Sequence, residues 1–475
     1  MHQKVAEKSG SITFAVLTAT LGGLLFGYDT AVISGAVEAI EVNFIEPRGL
    51  PPNAGDSLAG FTVASALIGT VIGAALAGML ATRLGRRRSL ILAAILFFLS
   101  AVGSAWPEIG FGAPGSMGPD ALTLFNVYRI LGGIGVGLAS MISPMYIAEI
   151  APSERRGHLV TWQQLAIIGG MLVVYFVNWG IARQGDEQWV LTTGWRLMFA
   201  SECIPAVLFF GMLFFIPESP RWLVQKGDEE GAVTVLHLLG LRRPGLLEEI
   251  RQSLVVPRRP LFSYGAALIA VGLLLSIFQQ FVGINVVLYY APFIFKSMGA
   301  STDTALLQTV AVGAVNLGFT VIAMLTVDRW GRKPLMITGA VVMALSMGTL
   351  GTLFYVDSLG LGALLAMLVY IAGFALSWGP VVWVLLAEIF PNPVKGQAMA
   401  LAVTAQWISN FLVSWSFKVL DGDPTLVAMF NHGFAYWLYG TMSVLAAIFV
   451  WKMLPETKGR TLEEMGVLWK AEERP

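Results

Sequence analysis

The sequence predicts an all-α membrane protein: twelve transmembrane helices in two six-helix pseudo-repeats, joined by a small cytoplasmic helical linker. Three observations lead there. Of the 475 residues, 56% are hydrophobic and only 13% are charged, whereas a soluble domain carries about a quarter charged residues. Apolar runs of about twenty residues, the length that crosses a bilayer as a helix, recur along the whole chain. The chain also repeats itself at an offset of about 240 residues. R-L-G-R-R-R at 83–88 returns as R-W-G-R-K at 329–333, A-E-I-A-P-S-E-R-R-G at 148–157 as A-E-I-F-P-N-P-V-K-G at 387–396, and P-E-S-P-R at 217–221 as P-E-T-K-G-R at 455–460. Two homologous halves in so apolar a chain point to a transporter whose site lies between them.

In chain order, the apolar runs place helices at 12–38, 57–82, 89–106, 121–148, 158–182 and 194–216, then at 262–296, 304–327, 335–356, 361–389, 397–420 and 432–454. Between the sixth and seventh lies the one long polar stretch. Its segments at 227–240 and 246–251 show helical spacing, so it reads as a cytoplasmic helical subdomain, with a disordered linker as the alternative. The expected organisation is an N-terminal bundle at 1–216, a linker at 217–259, a C-terminal bundle at 260–454 and a tail at 455–475. With the N-terminus inside, 24 of the 30 Lys and Arg fall on the inner side. Arg129 lies within a helix, leaving Arg48, Arg183, Arg196, Lys296 and Lys418 at or near the outer face. Basic inner loops then put both termini in the cytoplasm of a multi-pass protein of the cell (bacterial inner) membrane.

Several function classes drop out. No basic stripe exists outside the inner loops, so no nucleic acid is expected. A single cysteine, Cys203, excludes a disulfide within the chain, and four dispersed histidines offer no metal cluster. The first apolar run is too long for a cleaved leader and lacks a small-residue cleavage site. G-G-I-G-V-G at 132–137 fails the nucleotide-loop pattern and sits inside a membrane helix, so Gly133 and Gly137 read as close helix packing. No nucleophile, base and acid converge on one segment. Neither an enzyme nor a cofactor is expected.

Charges within the apolar runs are the next signal. Asp29 falls about 25 Å along its helix from the cytoplasmic entry, while Arg129 and Glu202 each lie about 12 Å below the outer ends of theirs. All three share one depth. A charge at mid-bilayer costs on the order of 3 kcal/mol, so such groups pair with one another. Arg129 keeps its proton, whereas Asp29 and Glu202 can titrate. A proton-coupling site and a static buried ion pair are both consistent with this. Six amides, Gln164, Gln279, Gln280, Asn285, Asn316 and Gln406, also lie in apolar runs. They donate and accept, as sugar hydroxyls do, although a single amide serves equally well as an interhelical hydrogen bond. Gly283 lies among them at a point where the helix can loosen, and interrupted helices mark transporter sites.

R-L-G-R-R-R, P-E-S-P-R, P-E-T-K-G-R and above all Q-Q-F-V-G-I-N-V-V-L-Y-Y at 279–290 resemble the sugar porter family of the major facilitator superfamily over essentially the whole chain. L-G-G-L-L-F-G-Y-D-T-A-V-I-S-G at 21–35 is most similar to its bacterial D-xylose:proton symporters. The resemblance implies the major facilitator fold. It also implies a sugar site of Gln164, Gln279, Gln280, Asn285, Asn316, Trp383, Gln406 and Trp407, with Phe26 and Tyr289 near the cavity. Asp29 matches the acidic position that proton-coupled members carry and facilitative ones lack. The family's cytoplasmic gate implies that Arg83, Arg86 and Arg87 reach Glu149, and that Arg329 and Arg332 reach Glu388, although basic loops would also serve topology alone. One departure is Met171, where similar xylose symporters have a second glutamine. The expected activity is monosaccharide–proton symport by a monomer in the bilayer, with a sugar uniporter and a membrane sugar sensor as alternatives. The short tail speaks against the sensor.

Overall fold

A computed structural model describes residues 2–152, 155–241, 243–254 and 259–458. The part of the expected tail from 459 onward lies outside the described residues. Among them, eleven helical segments are long and apolar enough to cross a membrane. In the first half these are α1 (Ile12–Gly35), α2 (Pro52–Leu84), α3 (Arg86–Ala105), α4 (Gly118–Ile150), α5 (Arg156–Ala182) and α6 (Glu187–Phe215). In the second they are α7 (Ala266–Ser297), α8 (Thr302–Val327), α9 (Arg332–Tyr355), α10 (Leu361–Ile389) and, last in the chain, a 20-residue segment. Before that last segment comes α11 (Asn392–Gly422), whose buried Gln406, Ser409, Asn410, Ser414 and Lys418 face protein rather than lipid. The final segment is α12 (Phe434–Met453).

At α6 the helix expected from 194 starts at Glu187. There the Asp186 side chain accepts from the backbone N–H of Trp189 and caps a turn that precedes the apolar run. Polar caps carry no hydropathy signal. The linker forms three short helices, Pro220–Gln225, Glu229–Leu238 and Leu246–Leu254. Ser219 and Asp228 cap the first two, and Arg251 pairs with Glu229 and Glu248 to tie the second to the third.

Within the first half, α2 and α4 cross backbone to backbone. A Cβ on Gly133 would stand 1.8 Å from the Ala66 carbonyl oxygen, and one on Gly137 would stand 2.4 Å from that of Thr70. Only glycine fits, as the close-packing reading of these two residues expects. The halves meet along two seams, α2 against α11 and α5 against α8. At the first, the Trp415 indole N–H donates to the Ser57 carbonyl at 3.2 Å. Near the second, the buried Tyr175 hydroxyl donates to the Leu288 carbonyl at 2.8 Å.

Two spans of the second half are interrupted. Gly283, at φ +92° and in the left-handed region, separates Ala266–Phe281 from Ile284–Ser297, where the sequence suggests a loosened helix. The second break, at Ser377, separates Leu361–Leu376 from Trp378–Ile389 and has no glycine to announce it.

Candidate functional site

The three intramembrane charges come together. Arg129 on α4 donates to the Asp29 carboxylate at 2.9 Å and to the Asp29 backbone carbonyl at 3.0 Å, both within α1. Glu202, at a break in the helical hydrogen bonding of α6, lies close enough for its charge to act on Asp29. Asp29 and Glu202 are 0% exposed and Arg129 1%. The Arg129 guanidinium also stands 5.4 Å from the centre of the Phe199 ring. One cation faces two carboxylates in a dry site, so the trio is neutral overall only when one proton is bound. One oxygen of Asp29 and both of Glu202 have no hydrogen-bond partner among the described residues. These are the atoms that can accept it.

The predicted amides form a chain around the two helix breaks. Asn285 donates to Gln280, Gln280 donates to Gln279 at 3.3 Å, and Gln279 donates to the backbone carbonyls of Trp378 and Gly379 at 3.0 and 3.3 Å. Those two carbonyls belong to the first turn of the second part of α10, directly after the break at Ser377. From α11, Gln406 and Trp407 are each 4% exposed, and the Gln406 amide oxygen and Trp407 indole N–H have no partner. Trp407 packs on Phe26 of α1 with ring centres 5.6 Å apart, so the cluster spans both halves. Tyr289 lies against Asn410, Asn316 is buried on α8, and Gln164 and Trp383 are half-buried on α5 and α10. Buried polar atoms are normally paired, and a cluster of unpaired ones beside aromatic faces suits a ligand that donates, accepts and stacks. Trp378 and Asn410 were not among the expected site residues. Trp378 acts through its main chain, which no side-chain pattern reveals.

At the ends that carry the arginine loops only part of the expected charge set assembles. Arg86 makes a two-point contact with Glu149 at 2.8 and 2.7 Å, and Arg332 makes one with Glu388 at 3.2 and 2.8 Å. Arg87 does not reach Glu149. One residue further round the helix, its guanidinium donates to the Leu213 and Phe214 carbonyls and caps the end of α6. Arg83 is exposed, and so is Arg329, whose carbonyl accepts from Lys458; neither contacts the carboxylate expected for it.

Four further residues complete these two corners. Glu218 accepts from the first backbone N–H groups of α3, at Arg86 and Arg87, and Glu456 does the same for α9 at Arg332 and Lys333. Ser219 donates to Glu149, and Thr457 to Glu388 at 2.6 Å. The recurring P-E-S and P-E-T triplets carried this signal: an acid to cap a helix start and a hydroxyl to hold Glu149 or Glu388. Burial pushes the Glu218 carboxyl above its ordinary range despite these N–H groups. Burial also acts to raise Glu456, but N–H donors from Lys458, Lys333 and Arg332 outweigh it and hold that carboxyl lower than usual.

A family model described as sugar (and other) transporter matches residues 15–469. The chain is 56% identical to the D-xylose-proton symporter of Escherichia coli strain K12, across 98% of this chain and 97% of that protein. The partially occluded inward open conformation of the xylose transporter XylE from E. coli superposes with a TM-score of 0.86 at 54% identity, covering 95% of this chain and 100% of that one. XylE bound to 6-bromo-6-deoxy-D-glucose superposes with 0.83 at 56% identity, covering 97% and 100%.

Proposed function

The chain belongs to the sugar transporter family, and on that premise we propose that it carries a monosaccharide, D-xylose or a related pentose or hexose, across the bacterial inner membrane together with a proton, by alternating access. The observation that carries the coupling is the buried Asp29–Arg129 pair with Glu202 beside it. Asp29 takes a proton from outside, its hold on Arg129 loosens, and the balance between outward-open and inward-open forms moves. Release of the proton to the cytoplasm resets the pair. Gln164, Gln279, Gln280, Asn285, Asn316 and Gln406 bind hydroxyls, while Phe26, Tyr289, Trp383 and Trp407 take the apolar face of the ring. Arg86–Glu149 and Arg332–Glu388 order the cytoplasmic ends for closure in the outward-open form. Both termini lie in the cytoplasm, and one chain is the working unit.

The test is Asp29→Asn, which keeps shape and hydrogen bonding but cannot titrate. In proteoliposomes with an imposed pH gradient, this variant exchanges sugar and does not accumulate it. Proton-driven accumulation equal to wild type would remove Asp29 from the mechanism. A wild-type protein that only equilibrates sugar would make it a uniporter.

A further inference from the structure

Opposite the arginine loops, four carboxylates of the first half face two lysines of the second. The first half presents Glu38 and Glu41 in the helical turns after α1, Asp56 in the first turns of α2, and Glu187 at the start of α6. The second half presents Lys296 at the end of α7 and Lys418 near the end of α11. The Lys296 ammonium lies 2.7 Å from both carboxylate oxygens of Glu38 and 2.6 Å from Glu187, which also accepts from Thr302. The Lys418 ammonium lies 2.7 Å from Glu41 and 3.8 Å from the centre of the Phe293 ring. Asp56 and Asp421 stand near enough to act on the same site, and Asp421 is held in turn by His432 at 3.1 Å. Lys418 is 5% exposed, so its pairing is largely desolvated and little screened. A third contact, Arg183–Asp303 at 3.9 Å, is more than half exposed on both sides and holds little.

The cytoplasmic pairs behave otherwise. Arg86–Glu149 lies wholly in the first half and Arg332–Glu388 wholly in the second. Among the described residues, every ion pair that joins one half to the other is at the outer end.

We propose that Lys418 and Lys296 form an outer latch: two cations from the second half, seated in a ring of first-half carboxylates, hold the outer ends together and set how much of the protein stands inward-facing. This rests on the alternating-access reading. Opening outward must separate Glu41 from Lys418 and Glu38 from Lys296, and water then takes up each charge. Without Lys418, the closed form would press Glu41, Asp56 and Asp421 together uncompensated, so it is the closed form that suffers. Lys418, buried, carries more of the latch than Lys296, which is a quarter exposed at its side chain.

The experiment reads the outer gap directly, as the distance between spin labels at Ser116 and Ser358 on exposed outer loops of the two halves, in the full chain in lipid nanodiscs without sugar. The native thiol is removed by Cys203→Ala. The latch predicts mainly short distances in the unsubstituted latch. Lys418→Gln shifts the long-to-short ratio by a factor of about ten or more, and Lys296→Gln shifts it by less. The exchange Glu41→Lys with Lys418→Glu returns most of the short population. That rescue separates charge from damage to the fold, and Lys296→Gln keeps the question answerable if Lys418→Gln does not fold. Unchanged distances in both single variants, or an exchange that fails to restore the short population, would overturn the latch. The latch is judged without sugar, and a second arm with added xylose judges the transport reading separately: a wild-type distance distribution that does not respond to it would overturn that reading and leave the latch standing.

Discussion

Gln279, Gln280 and Asn285 donate in one direction along a chain that ends on the Trp378 and Gly379 carbonyls, so each holds the next in place. Gln279→Ala, Asn285→Ala and Trp383→Ala should each weaken sugar binding with the fold intact, by about 1 kcal/mol per lost hydrogen bond, or roughly fivefold in Kd. Quenching of tryptophan fluorescence by xylose, glucose and galactose in the purified variants checks this, and wild-type affinity in all three would remove the assignment. At this scale the ion trio was readable because a charge in an apolar run is costly wherever it lies, so Asp29, Arg129 and Glu202 announce themselves. The arginine loop was not. Arg83, Arg86 and Arg87 sit within five residues, and only the turn of the helix decides that Arg86 meets Glu149 while Arg87 meets a helix end.

Helix starts decide the two arginine-loop corners. Glu456 satisfies the orphan N–H groups that open α9, and those donors hold its carboxyl low. A lowered carboxyl stabilises the folded chain above the unfolded carboxylate range, and that contribution is lost as pH falls through the folded value. Glu456→Gln should therefore lower stability by about 1 kcal/mol at pH 7, and the gap from wild type should narrow as pH falls below about 4. Melting curves across that range test it, and a gap independent of pH would reassign the effect to packing. The breaks in α7 and α10 differ in legibility for a physical reason. Gly283 adopts a left-handed φ that side chains avoid, whereas Ser377 is held by its hydroxyl on Gly373 and by Trp378 donating to Met336 of α9. The first cause is local. The second is tertiary.

The halves are joined by the α2–α11 and α5–α8 seams and by the Lys296 and Lys418 pairs, while buried Leu239, with Val235 and Leu241 packed against the same core, places the end of the second linker helix with the first half. Cutting the chain between Arg243 and Pro244 should therefore leave two pieces that assemble in the membrane. Co-expression with an affinity tag on the first piece should bring down the second, with the sugar response of the intact chain. Failure of the pieces to co-purify would show that the linker, rather than the seams, holds the halves.

Apolar runs of bilayer length, basic loops on one side and a motif set repeated at half the chain length are properties of the linear sequence. They determined the span count and the two-half plan by themselves, because the bilayer imposes length and polarity on each helix separately. What each charge or amide touches was decided only by the tertiary structure. Asp29 and Arg129 are 100 residues apart, Gln279 and Trp378 are 99, and Lys296 and Glu38 are 258. Such partners are chosen by how helices cross and rotate against one another, and one residue of rotation exchanges the Arg–Glu contact of Arg86 for the helix cap of Arg87.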